Sequence, residues 1–179
     1  MNKKYFMPSY DYAVSSLLGN HGYVNVGEDE SPDFLVFTGG ADVSPWLYGE
    51  HRKPGTSTSP ERDYWDMMAF IRFRHLPMVG ICRGFQFLAA VTGHKLVQHI
   101  EDHTWAHTCY YNDEVFTVSS THHQCVVHTN PLFVSADGVC EGAYLSAGVF
   151  GVQFHPEYES CSEQAIAAFI KELRHVTGV

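Results

Sequence analysis

Apolar positions along the chain alternate between two patterns. Short unbroken runs, Phe34-Leu35-Val36-Phe37 and Met78-Val79-Gly80-Ile81, read as strands buried on both faces of a parallel sheet. Between them, apolar residues recur at helical spacing. Val14, Leu17 and Leu18 follow an Asp11 cap and end at Asn20-His21-Gly22. Tyr64, Met67, Met68 and Ile71 follow a Ser59-Pro60 start, and their spacing predicts a core-facing stripe. Phe85, Leu88 and Ala89 form a third face that stops at Gly93, and Ile166, Phe169, Ile170 and Leu173 mark a last helix between Glu163 and Arg174. Strand character also appears at Lys4 to Pro8, Tyr23 to Val26, Val115 to Val118 and Leu132 to Ser135, and from Tyr144 to Phe154, where Gly148 and Gly151 are expected to interrupt it. Residues 42–59 read as a long surface loop and 94–114 as irregular. The alternation predicts a single α/β domain over 1–179, in which a mostly parallel sheet lies between two layers of helices.

Composition narrows the function classes. With 45% hydrophobic and 17% charged residues the 179-residue chain can bury a real core, so disorder is excluded. A net charge of −9 with scattered Lys and Arg argues against nucleic acid or an anionic membrane surface as partner. No apolar run reaches the roughly 20 residues of a membrane span, and Met1-Asn2-Lys3-Lys4 leads into no signal-peptide core. Five cysteines without a C-x-x-C pattern suit reduced thiols, and a cytoplasmic location is expected. Histidine is over-represented, at 12. His103 and His107 have the i, i+4 spacing that shares a metal on a helix, but no carboxylate follows in the H-E-x-x-H manner and the surroundings read as loop. No metal and no cofactor are expected.

Chemistry concentrates around Cys82. It sits where a buried strand gives way at once to a helix, with Gly80 and Gly84 two residues to either side. Small residues there are what a nucleophile elbow requires, because the strained turn brings backbone against backbone. The helix N-terminus would favour the thiolate. Gly151-Val152-Gln153-Phe154-His155-Pro156-Glu157 ends another apolar strand at His155, and Pro156 stiffens the turn so that Glu157 reaches back to the imidazole. Cys82, His155 and Glu157 thereby follow triad logic of nucleophile, base and orienting carboxylate. Oxyanion donors would be the Arg83 N–H and one from the Gly39-Gly40-Ala41 turn, Gly40 or Ala41, with Gly40 taken as the donor.

Four ordered motifs carry a family resemblance: Thr38-Gly39-Gly40-x-Asp42, Gly80-Ile81-Cys82-Arg83-Gly84-x-Gln86, Ser120-x-His122-His123-Gln124 and Gly151 to Glu157. Together they resemble the class I glutamine amidotransferases. Asp42-Val43-Ser44-Pro45-Trp46-Leu47-Tyr48-Gly49 with Glu61-Arg62-Asp63 is more similar to the gamma-glutamyl-gamma-aminobutyrate hydrolase (peptidase C26) branch. The resemblance implies a flavodoxin-like three-layer fold and a gamma-glutamyl thioester on Cys82 that releases an amine or ammonia and is freed by water. It also implies that Gln86, His122 and Gln124 hold the glutamyl amino acid group. The acceptor side would be formed by Pro45 to Ser59. Against that family the chain is short before Phe34 and compressed between Gly93 and Val115, which leaves substrate-gating walls absent or supplied by a second copy. Two partner readings follow: a lone hydrolase acting on a small gamma-glutamyl substrate, as monomer or homodimer, or a glutaminase subunit feeding ammonia to a separate synthase. A non-catalytic binding module is the third reading.

Overall fold

The structure, a computed structural model, describes residues 2–178. Eleven strands and four helices run in the order β1 (Lys4–Phe6), α1 (Tyr12–Asn20), β2 (Val24–Asn25), β3 (Phe34–Phe37), α2 (Pro60–Arg72), β4 (Met78–Ile81), α3 (Arg83–Val91), β5 (Lys95–Val97), β6 (His107–Tyr111), β7 (Glu114–Val118), β8 (Cys125–Val127), β9 (Phe133–Ser135), β10 (Cys140–Ser146), β11 (Val149–Val152) and α4 (Glu163–Thr177). Nine strands form one sheet in the order β2-β1-β3-β4-β11-β10-β9-β6-β7, and β5 pairs with β8 in a two-stranded ribbon. The sheet is mixed. From β2 to β11 every pairing is parallel; from β11 to β7 every pairing is antiparallel.

The caps follow the sequence closely. The Asp11 side chain accepts from the Val14 N–H at 3.0 Å, Ser59 caps α2 with Pro60 in its first turn, and Ser162 caps α4. The unbroken runs β3, β4 and β11 are buried along their whole length, as strands covered on both faces must be. One apolar cluster, with Phe34, Phe150, Phe169 and Leu173, fills the side of α1 and α4. A second, with Phe37, Phe85, Phe87 and Leu88, fills the side of α2 and α3.

Three expectations are corrected. The stripe assigned to the core on α2 faces water instead: Tyr64, Met68 and Ile71 are 57%, 47% and 54% exposed. The helix buries Asp63, Asp66 and Ala69, because the buried Arg83 and the half-buried Arg62 need those carboxylates more than the core needs the methionines. Residues 94–114 are not irregular throughout but hold β5 and β6, whose strand pattern is masked by polar residues on the outer face. Gly151 does not interrupt a strand. It lies inside β11, where a Cβ would meet the Phe85 ring at 2.3 Å. The loop after Asp42 carries a 3-10 turn, Pro45–Tyr48, and is tied down at its far end by backbone and side-chain bonds between Asp42 and Ser57.

Candidate active site

Three neighbouring parallel strands, β3, β4 and β11, end at the same edge of the sheet, with Phe37 opposite Gly80 and Val152 opposite Ile81. Their carboxyl ends deliver the Thr38 to Asp42 turn, Cys82 and His155, which is where open α/β sheets place their sites. Cys82 sits in the left-handed region at φ 51°, ψ −110° as the N-cap of α3. Such a conformation costs a non-glycine residue of order 1–3 kcal/mol and persists only where packing imposes it. The packing is visible: a Cβ on Gly84 would lie 2.0 Å from the Phe37 carbonyl oxygen, and one on Gly80 would lie 2.4 Å from the Phe85 nitrogen. The Cys82 N–H donates to the Val152 carbonyl at 2.8 Å, tying the elbow to the strand that leads to His155.

His155 Nδ1–H donates to Glu157 Oε1 at 2.6 Å, both side chains being almost wholly buried. That bond leaves the other face of the imidazole to Cys82. Burial works against charge on His155, but hydrogen bonding to Cys82 and Glu157 outweighs it and holds its pKa up at about 10. The Gly39 backbone closes on the ring, since a Cβ there would touch Cε1 at 2.9 Å. Tyr158, which no sequence pattern singles out, stacks on the imidazole at 4.4 Å with an interplanar angle of 3°. Replacing Tyr158 with Leu removes a stacking contact of about 0.5–1.5 kcal/mol that steadies the ring. The expected result is a three- to tenfold lower kcat/KM, measured as steady-state hydrolysis, with the melting temperature nearly unchanged.

The turn after β3 is held by arginines. Arg62 Nη1 and Nη2 donate to the Gly39 and Thr38 carbonyls at 3.2 Å each, and Arg83 Nε donates to the Ala41 carbonyl at 3.0 Å. Arg83, 1% exposed, is held in turn by Asp63 at 2.6 Å and by Asp66, which also takes the Arg62 Nε at 3.1 Å. With three turn carbonyls occupied and Gly40 at φ 150°, the backbone at Gly39 to Ala41 is fixed beside the sulfur. Arg62, Asp63 and Asp66 belong to the site; the sequence singled out Glu61-Arg62-Asp63 only within the family resemblance, and Asp66 not at all.

Cys82 opens into a cavity of about 240 Å³ bordered by Gly40, Asp42, Ser57, Gln86 and the Thr121 to Gln124 segment. Gln86 Nε2 donates to the Gln124 carbonyl and to Gln153 Oε1, each at 3.2 Å. The Gln124 amide is buried with neither its oxygen nor its nitrogen paired. His123 Nε2 meets Asp42 Oδ1 at 3.1 Å across the mouth. His122 borders the cavity, yet its nitrogens turn elsewhere: Nδ1–H donates to the Gln124 carbonyl at 2.8 Å and Nε2 faces Glu141. It therefore presents only ring carbon to the space where a substrate would lie. Ser57 is the one part of the Pro45 to Ser59 segment on the cavity wall, and Trp46 stands 68% exposed.

The other four cysteines, Cys109, Cys125, Cys140 and Cys161, are buried free thiols. Burial pushes Cys125 up to about 11 and Cys140 to about 12, and raises the other two, so none is a nucleophile at neutral pH.

Fold and site together define a class I glutamine amidotransferase-like protein. Within that class it is similar to peptidase C26, whose family model matches residues 30–113. A protein of Mycobacterium tuberculosis provisionally named a glutamine amidotransferase is 35% identical over 154 residues, covering 69% of this chain and 50% of its own. A similarly named protein of Schizosaccharomyces pombe is 30% identical over 156 residues, covering 70% and 62%. The chain thus spans between half and two thirds of the length of these curated relatives. A solved structure from Thermoplasma acidophilum, whose protein is provisionally named as part of a GMP synthase, superposes with a TM-score of 0.68 over 98% of each chain at 18% identity, a likeness of fold.

Proposed function

We propose that the protein hydrolyses a gamma-glutamyl amide, glutamine or a gamma-glutamyl amine, through a thioester on Cys82. The observation that carries this reading is the meeting of the elbow sulfur, the Glu157-oriented His155 and a small polar cavity at one sheet edge. At about 240 Å³ the cavity lies below the roughly 300–1,000 Å³ of pockets for drug-sized ligands and suits an amino acid group. The Asp42 carboxylate places negative charge where an α-ammonium would bind. Gln86 acts through Gln124, holding that segment in place.

In this mechanism the sulfur attacks the amide carbon, and the proton travels by way of His155 to the departing nitrogen. The N–H groups of Arg83 and Gly40 receive the oxyanion. Water, deprotonated by His155, then attacks the thioester, releasing glutamate and restoring the thiol. Glu157 fixes the tautomer throughout. The reaction takes place in the cytoplasm.

A second reading, a glutaminase subunit that passes ammonia to a synthase, is favoured by the apolar face of α2 left in solvent and by the likeness to a protein named as part of a synthase. The deciding experiment is glutamate release from a panel of gamma-glutamyl amines and glutamine. Release from one amine well above glutamine supports a lone hydrolase. Release from glutamine alone supports the ammonia-supplying role, and no release from any of them rejects the lone hydrolase and leaves a partner-dependent glutaminase or a non-catalytic fold.

A further inference from the structure

Outside the triad, one side-chain cluster has no part in that chemistry. His103 from the loop before β6, His107 at the head of β6 and His122 from the cavity wall all converge on Glu141 of β10. His103 and His122 are each 3% exposed and Glu141 is wholly buried. The inner nitrogens, His103 Nδ1, His107 Nε2 and His122 Nε2, lie 3.2, 3.1 and 3.3 Å from the same atom, Glu141 Oε1.

The outer nitrogens settle what the inner ones carry. His103 Nε2 lies 3.0 Å from Asp137 Oδ2, His107 Nδ1 lies 3.1 Å from the Trp105 carbonyl, and His122 Nδ1 lies 2.8 Å from the Gln124 carbonyl. Each of those partners only accepts, so each outer nitrogen bears the hydrogen. In a neutral ring the inner nitrogen is then a bare lone pair. Three lone pairs would face one carboxylate oxygen, and neither oxygen of Glu141 has a hydrogen-bond partner among the described residues. Two arrangements remove the repulsion. All three imidazoles take up protons, crowding three positive rings with centroids 4.6, 5.0 and 6.4 Å apart in a nearly dry pocket. Otherwise a single cation accepts all the lone pairs.

We propose that His103 Nδ1, His107 Nε2, His122 Nε2 and Glu141 Oε1 bind one divalent transition ion of the zinc type. Three imidazole nitrogens with one carboxylate oxygen are a zinc donor set. Ligands about 2.0–2.1 Å from a tetrahedral ion stand about 3.3 Å apart, close to the three nitrogen–oxygen separations here. The ligand atoms of His103, His122 and Glu141 already lie within 4.8 Å of one another; His107 Nε2 is 3.1 Å from Glu141 Oε1 but stands outside that group and has to move inward to become the fourth ligand. An imidazole bound to metal typically donates its other N–H to a carbonyl or carboxylate, and all three of these do. With His107 drawn in, four protein ligands close the site, which makes the ion structural. It fastens the loop after β5, the head of β6 and the 120–124 segment to β10, and so braces the wall that carries Gln124. Ser120 reinforces the same join by donating to the His103 carbonyl.

The test uses the whole chain, stripped with a chelator and reloaded with zinc or cobalt(II). After dialysis the wild type is expected to retain about one zinc per chain, to melt at a higher temperature than the stripped protein, and to give the intense visible bands of tetrahedral cobalt. Glu141→Gln is expected to abolish both retention and bands. Asp137→Asn changes only the exposed carboxylate behind His103, so the fold should survive, and zinc affinity is expected to fall about 10–100-fold. Zinc retained well below one equivalent by the wild type, with no cobalt bands, overturns the proposal in favour of the protonated network. Undiminished binding in both variants also overturns it, by placing the ion on other histidines.

Discussion

Cys82→Ala is expected to leave the protein folded and to lower gamma-glutamyl hydrolysis by about a thousandfold or more. Cys82 is the one cysteine on the cavity wall, while the remaining four are buried with their thiols pushed up, so no other sulfur can take over. The fold should tolerate the change, because alanine keeps the Cβ and the φ of 51° is imposed by the close packing around Gly80 and Gly84. Two readouts separate chemistry from folding. Steady-state glutamate release should collapse while the far-ultraviolet dichroism and melting temperature stay near wild type. Intact-mass analysis of quenched wild-type reactions should show a glutamyl adduct that Cys82→Ala lacks. Turnover persisting in a clean Cys82→Ala preparation would remove Cys82 from the mechanism.

Much of this architecture was legible because the local signals were strong and mutually consistent. The runs at β3 and β4 leave no polar face, so they had to be central strands, and the glycines around Cys82 marked a turn with no room for side chains. His155 and Glu157 could be paired because only Pro156 separates them, and a single turn residue is enough to bring them together. What was not legible depends on distant partners. The periodicity of α2 predicts a buried Tyr64, Met68 and Ile71, yet the face that turns inward is set by Arg83, 20 residues after Asp63 and 17 after Asp66. Helical spacing reports amphipathicity, and it cannot report that buried charge elsewhere outweighs an apolar stripe. The histidine cluster was hidden for a related reason. His103 and His107 invited a helix-based reading, whereas the meeting of His122 and Glu141 with them depends on how β6 and β10 flank β9. Likewise the placing of His122, with both nitrogens turned from the cavity, follows from Glu141 and the Gln124 carbonyl and not from its motif.

The largest stability effect is expected at Asp66. Its side chain is fully buried, and it neutralises Arg83, itself 1% exposed, together with Arg62. Asp66→Ala leaves Arg83 with Asp63 alone and Arg62 without a carboxylate, and breaking a buried pair from one side typically costs about 3–5 kcal/mol. For a chain of this size that is a fall in melting temperature of about 10 °C. The same guanidiniums hold the carbonyls of Thr38, Gly39 and Ala41, so hydrolysis should fall along with stability. A second variant separates the two effects. In Asp63→Asn combined with Arg83→Met, Arg83 is removed together with the charge of Asp63 while Asp66 keeps Arg62, so no charge is left stranded, and replacing both members of a buried pair is often neutral or stabilising. Chemical denaturation should therefore show much of the stability lost in Asp66→Ala kept. Activity should stay low, because nothing then donates to the Ala41 carbonyl and the turn beside Cys82 loses one of its clamps. If the double variant keeps activity together with stability, the arginine clamp only supports the fold, and the backbone beside Cys82 sets its own geometry.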